Sequence, residues 1–488
     1  MSNYKLDTIC VQGGYKPENG EARTLPIYQS TTYKYDSADH LGDLFDLKAD
    51  GHMYSRISNP TLACVEAKIA EMEGGVGAML VSSGQAANLT AVLNITSAGQ
   101  NIISLASIYG GTVNLFAVTL KKMGIEVRFA TPDMTDEEIE AMMDENTRLL
   151  FGETVANPAL VVFDIERYAK LAHKHDMPLV VDNTFATPVL CRPFEYGCDI
   201  VTHSTTKYMD GHATVVGGCI VDSGKFDWSV GGRYPELTTP DESYHGVVYT
   251  ESFGPAAYVT KARVQMLRDM GNTMSPMAAF LLNLGLETLH LRVKRHCENA
   301  QRIAEWLSQN DKVAWVNYSG LPDNPYHALA QKYMPGGSCG VISFGLVGGR
   351  SAAELNTGLA NLIQSGLNRL FGAGQSILGI LVCHLVELAG ALFRLGHDLA
   401  GLFLGRIEHL AVGNLGAGLQ LCLTHHALHI SFRILHELLA GSQQLLRTLD
   451  FHGDLCAQFI QQIQHLIALQ NALLCTKRQT PGILNHFI

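Results

Sequence analysis

Charge is scarce in this chain of 488 residues: Asp, Glu, Lys and Arg together make up only 17% of it. With 47% hydrophobic residues beside so thin a charged fraction, a disordered polyelectrolyte is excluded and a globular protein expected. Paired cysteines are missing as well. The eleven cysteines are scattered, with no Cys-x-x-Cys and no Cys/His spacing of the zinc type, which points to free thiols in a reducing compartment. No run of Lys or Arg could track several phosphates, and 35 basic against 46 acidic side chains leave a net charge of −11, so nucleic acid is not an expected partner. The first residues carry neither an apolar core segment nor an Arg-rich amphipathic pattern, and a cytoplasmic location is expected. The most apolar stretch, 377–404, is broken by His384, Glu387, Arg394, His397 and Asp398, which argues against a membrane span.

What is present divides the chain into four parts. Residues 1–60 are polar and aromatic with few periodic apolar stretches, and read as an arm. From Thr61 to about residue 255, helical and short apolar segments alternate, which predicts a mostly parallel α/β sheet. Leu62, Val65, Ile69 and Met72 fall near helical spacing over 61–72. Strands are expected at 78–81, 101–105, 126–130, 149–153, 179–182 and 200–202, with helices at 85–95 and 166–175. Helical stretches over 256–271 and 277–309 would lead into a smaller C-terminal α/β domain beginning within 256–350, with strands at 313–316 and 341–344.

The chemistry concentrates at a few turns. Asp182, at the end of Leu179-Val180-Val181-Asp182, and Lys207, on the loop after the next strand, would converge at the carboxyl edge of the sheet, where open α/β sheets bind ligands. A lysine able to form a Schiff base and an acid for a ring nitrogen are what pyridoxal phosphate requires. Its phosphate would suit the turn Ser82-Ser83-Gly84-Gln85 at a helix start. Ser204 and Thr206 could add hydroxyls, while Tyr54 and Arg56 supply a phenol and a forked cation. Tyr109, followed by Gly110 and Gly111, is the candidate ring to cover the cofactor's face.

Six segments in order then carry a resemblance: Tyr54-Ser55-Arg56-Ile57-Ser58-Asn59-Pro60-Thr61, Ser82-Ser83-Gly84-Gln85-Ala86-Ala87, Tyr109-Gly110-Gly111-Thr112, Glu153-Thr154-Val155-Ala156-Asn157-Pro158, Val181-Asp182-Asn183-Thr184-Phe185-Ala186-Thr187-Pro188 and His203-Ser204-Thr205-Thr206-Lys207-Tyr208. Together they resemble the Cys/Met-metabolism family of pyridoxal-phosphate enzymes, over residues 1 to about 350. Within that family, Asp241-Glu242-Ser243-Tyr244-His245-Gly246 and the stretch onward to Arg350 are more similar to the O-acetylhomoserine sulfhydrylases than to the lyases. The resemblance implies a fold-type-I architecture. Lys207 would carry the cofactor and move the α-proton, Asp182 would face the ring nitrogen, Asn157 the ring hydroxyl, and Tyr109 would stack on the ring and donate a proton. Gly84, Gln85, Ser204 and Thr206 would bind the phosphate. Tyr54 and Arg56 would reach it from a neighbouring subunit, in a dimer within a tetramer. The implied reaction is a γ-replacement in which O-acetylhomoserine, the amino-acid substrate, and sulfide, or a thiol in its place, give homocysteine and acetate in methionine or cysteine biosynthesis. A methionine γ-lyase or a cystathionine lyase or synthase is the alternative within the family.

Beyond about Arg350 the family pattern stops. Residues 351–488 hold about fourteen charged side chains but about ten of the twenty histidines, and are rich in Leu, Gly and Gln. The Arg-x-Ser-x-Gly motif whose Arg holds the substrate carboxylate in the family is absent, with Arg369 or Arg394 as conceivable substitutes. The abrupt change reads as a displaced reading frame, the alternative being a replacement domain, and a displaced frame without that Arg could leave an inactive, misfolded product. His425, His426 and His429 lack the carboxylate or Cys set of a metal site, so no metal is expected.

Overall fold

A computed structural model describes residues 4–351. The tail reading, 351–488, lies outside the described residues but for Ser351, as do Arg369, Arg394 and the tail histidines. Seven strands build the central sheet: β1 (Gly77–Val81), β2 (Asn101–Leu105), β3 (Glu126–Ala130), β4 (Thr147–Glu153), β5 (Leu179–Asp182), β6 (Ile200–His203) and β7 (Gly218–Asp222), in the order β1-β7-β6-β5-β4-β2-β3. The pairs β2–β3, β2–β4, β4–β5 and β5–β6 are parallel. β7 alone runs against its neighbours, β1 and β6, so β1 points the same way as β6 and six of seven strands end on one edge. Strands β2, β4, β5, β6 and β7 are buried along their whole length, as expected of strands covered on both faces.

Local chemistry explains where the elements begin and end. The first helices are α1 (Leu6–Gln12), α2 (Ala38–Phe45), α3 (Pro60–Glu73), α4 (Gly84–Leu93) and α5 (Gly110–Asn114). Helix α3 starts with the Asn59 side chain accepting from the Thr61 N–H at 2.9 Å and with Pro60 in its first turn; it stops at Gly74, whose φ of 82° is left-handed. A cap of this kind contributes about 1 kcal/mol. The Ser83 side chain likewise caps α4 by accepting from the Ala86 N–H at 3.1 Å. The helix Ile165–Lys174 buries Ile165, Tyr168, Ala169, Leu171 and Ala172 on one face, and Phe116 meets Phe151 edge to face with ring centroids 5.0 Å apart.

Two features depart from the expected elements. Gly218–Asp222 is a strand that alternation does not reveal, because this short all-buried run reads like any apolar segment. The helical stretch expected over 256–271 runs without a break from Ala257 to Met270 but carries a π-helical turn at Ala262–Leu267, and left-handed Gly271 ends it. After it, the 33-residue helix Pro276–Ser308 leads to a two-stranded antiparallel sheet, β8 (Val313–Asn317) and β9 (Ser343–Leu346). Near the N-terminus, α1 buries Ile9 and Cys10, and Asp7 pairs with Lys294 of the long helix at 3.0 Å. Tyr28, Phe45 and Tyr54 remain exposed.

Candidate active site

The carboxyl edge gathers most of the residues singled out from sequence. Gly84 and Gln85 follow β1, Tyr109 follows β2, Asn157 follows β4, Asp182 ends β5, and Ser204, Thr206 and Lys207 follow β6. Asp182 is buried, at 8% exposure. Its Oδ1 accepts from the N–H and hydroxyl of Thr184, at 3.0 and 2.5 Å, and its Oδ2 from Asn88 Nδ2 at 3.2 Å. Asn88 in turn accepts from the Thr202 hydroxyl at 2.6 Å. These uncharged donors hold the carboxylate in place without placing a cation against it.

The Lys207 loop is tied to the same web. The Ser204 N–H donates to Thr184 Oγ1 at 2.8 Å, and the Gly211 N–H to the Lys207 carbonyl at 2.9 Å. The Lys207 side chain is exposed and has no hydrogen bond or ion pair among the described residues. Thr206 Oγ1 accepts from the Gly217 N–H at 3.0 Å and donates to its carbonyl at 3.2 Å, so this hydroxyl also closes its own loop. A Cβ at Gly84 would lie 2.6 Å from the Ser204 Cβ; only glycine lets the start of α4 meet the Ser204 turn so closely. Gln85 Nε2 and the Tyr109 ring both lie where a Cβ on Gly111 would be, each at 2.5 Å, which brings the phosphate turn and the candidate stacking ring together.

These residues fit a phosphorylated pyridine. Gln85 Oε1 is buried without a partner among the described residues, and the Gly84 and Gln85 N–H groups face no acceptor there either. Free donors at a capped helix start, a primary amine and an acid held by neutral donors are a matching set. Asn157 is half-buried on the loop after β4. Tyr54 and Arg56 do not join the web. The Arg56 guanidinium lies over the Tyr54 ring, 5.3 Å from its centre, and donates to the Arg268 carbonyl.

The Cys/Met metabolism PLP-dependent enzyme pattern matches residues 7–380. The chain belongs to this family. An O-acetyl-L-homoserine sulfhydrylase of Thermus thermophilus is 46% identical over 352 residues, 72% of this chain and 83% of that protein. A homocysteine/cysteine synthase of Saccharomyces cerevisiae is 45% identical over 346 residues, 70% and 78% of the two chains. Among solved structures, an O-acetylhomoserine (thiol)-lyase from Campylobacter jejuni superposes with a TM-score of 0.68 at 36% identity, covering 70% of this chain and 86% of its own; it carries N'-pyridoxyl-lysine-5'-monophosphate. As a member of the family, the chain is a PLP-dependent enzyme.

Several neighbours of the site were not singled out from sequence. Asn88 sits one helical turn beyond Gly84, on the same face of α4, and that spacing is the signal that could have marked it. Thr184 stands two residues after Asp182, a common spacing for a side chain bonding local backbone and neighbours. Glu73, on α3, accepts from His203 Nε2 at 2.6 Å and from Asn183 Nδ2 at 3.0 Å, all buried. Nothing in the spacing of Glu73 marks this contact, which closes over 130 residues. Tyr244 donates to the Val264 carbonyl at 2.9 Å, and left-handed His245 faces Asp46 at 3.5 Å; both order loops. Among the described residues no helix is long and apolar enough to cross a membrane, and no three His, Cys, Asp or Glu side chains are grouped to hold a metal.

Proposed function

We propose that the chain is an O-acetylhomoserine sulfhydrylase: sulfide replaces acetate at the γ-carbon, giving homocysteine and acetate. The observation that carries this reading is the carboxyl-edge cluster, in a chain 46% identical to a protein of that activity by name. Pyridoxal phosphate, when bound, supplies an electron sink for negative charge next to the substrate amine. Gly84, Gln85, Ser204 and Thr206 would hold its phosphate, Asp182 its ring nitrogen and Asn157 its ring hydroxyl, with Tyr109 over its face. Lys207 Nζ, free of any partner among the described residues, is the group to carry the cofactor and then to take the α-proton and return it. Loss of a β-proton would then expel acetate from the γ-carbon, with the Tyr109 phenol donating a proton to the leaving oxygen, and the β-carbon would be reprotonated once sulfide has added. Sulfide forms the new C–S bond, and the proton it sheds goes to solvent.

Tyr54 and Arg56 point to self-association. Both are exposed and stand apart from the web around Asp182, which suits side chains offered to a second copy's phosphate site in a dimer or tetramer. A cytoplasmic location accords with the biosynthetic chemistry. The deciding assay mixes the purified protein, pyridoxal phosphate, O-acetylhomoserine and sulfide, and follows homocysteine and acetate. A ketoacid and ammonia formed without sulfide would instead establish a γ-lyase.

A further inference from the structure

We propose that Glu153 is a positioning residue of this site, its side chain anchoring the main chain of Tyr109 and so the ring that would lie over the cofactor. Glu153 is the last residue of β4 and is 5% exposed. Its Oε2 accepts from the Tyr109 N–H at 2.6 Å. The Tyr109 carbonyl accepts from the Thr112 and Val113 N–H groups at 2.8 and 3.0 Å, so both sides of this residue are fastened, one by α5 and one by Glu153. The side chain of Tyr109 is otherwise 47% exposed, and a half-open ring keeps a defined place only if its backbone does.

Glu153 stands against a second carboxyl group. It pairs in register with Asp182 on β5, so two buried carboxyl groups stand side by side. Asp182 takes three donors and Glu153 one, so Glu153 is the less satisfied of the two carboxyl groups. Burial first, then the charge of Asp182, hold Glu153 well above the ordinary carboxylate range; the Tyr109 N–H works against them. On its other side, Glu153 borders a cavity of about 120 Å³ with Asp164 and Arg167 in its wall. Arg167 is engaged by Asp136 at 2.7 Å and by the Met134 carbonyl at 2.6 Å, which leaves no cation committed to Glu153.

This rests on Tyr109 being the residue over the cofactor, but its test is read on the cofactor-free full chain, so it stands apart from the sulfhydrylase assay. Amide hydrogen exchange is followed at Tyr109. In the unaltered protein this N–H is protected despite the exposed side chain. Glu153→Gln keeps a neutral acceptor and leaves the protection within about threefold, while Glu153→Ala raises exchange roughly tenfold or more at Tyr109 with the sheet unchanged. With cofactor loaded, the alanine variant loses kcat more than it raises KM, and glutamine rescues it. The proposal is overturned by an unprotected Tyr109 amide in the unaltered protein, by equal opening in both variants, or by loosening spread over the whole sheet. Should the alanine variant not fold, the unaltered protein and Glu153→Gln still decide.

Discussion

Two buried aspartates stand at opposite ends of neighbouring strands. Asp182 ends β5 and is held by Thr184 and Asn88, both uncharged. Asp199 lies just before β6, at the amino edge, where its Oδ2 accepts from the Leu179 N–H at 2.8 Å and pairs with His173 Nε2 at 2.8 Å. Burial raises the pKa of Asp199 against the pull of His173, and that hydrogen bond raises the pKa of His173. The amino edge thus finishes a carboxylate with a titratable partner of its own, and the result is structural. At the carboxyl edge, neutral donors fix the carboxylate without a cation and leave it able to meet one from outside the chain. The direction shared by six strands decides which edge is which, because the loops after parallel strands collect on one side.

The sharpest break of this comparison is removal of the amine at the carboxyl edge. Lys207→Ala is expected to lower turnover by about 10²–10⁴-fold or more with an unchanged melting temperature, because the side chain has no structural partner to lose. Loss of stability in step with activity would refute the assignment. Asp182→Ala should cost roughly 10²–10³-fold in turnover. Its counterpart Asp199→Ala should keep kcat within about twofold while losing about 1–3 kcal/mol in denaturant unfolding, since the Leu179 N–H loses its acceptor. Equal damage to activity by the two variants would erase the distinction between the edges.

A smaller effect is expected at the phosphate turn. Gly84→Ala pushes a Cβ to 2.6 Å from the Ser204 Cβ, a strain of about 1–3 kcal/mol. It should show as weaker cofactor affinity in a spectroscopic titration. The smallest effect belongs to the amino edge. The hydrogen bond to Asp199 raises the folded-state pKa of His173 above its ordinary 6.5, so the stabilisation is full below pH 6.5 and disappears as pH rises through the raised value. His173→Asn should flatten the pH dependence of unfolding in that window. A wild-type stability that grows with pH there would contradict this sign.

The motif-bearing turns were legible because each is short and local. The helical spacing over 61–72, the turn Ser82-Ser83-Gly84-Gln85 at a helix start and the run 179–182 act within a few residues of themselves, and the structure puts α3, α4 and β5 there. Harder to read were β7, a short all-buried run whose place between β6 and the distant β1 is set by the closing of the sheet, and the π-helical turn before Gly271. Asn88, Thr184, Glu73 and Glu153 escaped notice as site neighbours for a related reason. A polar residue inside an apolar helix or strand declares itself only through what it meets.

By itself, then, the order of residues determined the alternation of helix and strand, the start of α4 at a glycine, and the presence of one acid and one amine at consecutive strand ends. Those arise from capping, periodicity and side-chain chemistry, which act over a few residues. Only the tertiary structure decided that Asp182 is held by Asn88 across 94 residues, that Gly84 lies against Ser204, and that Glu153 rather than a cation stands beside Asp182. Contacts between distant segments depend on the closing of the sheet, and burial there sets how each polar group is satisfied.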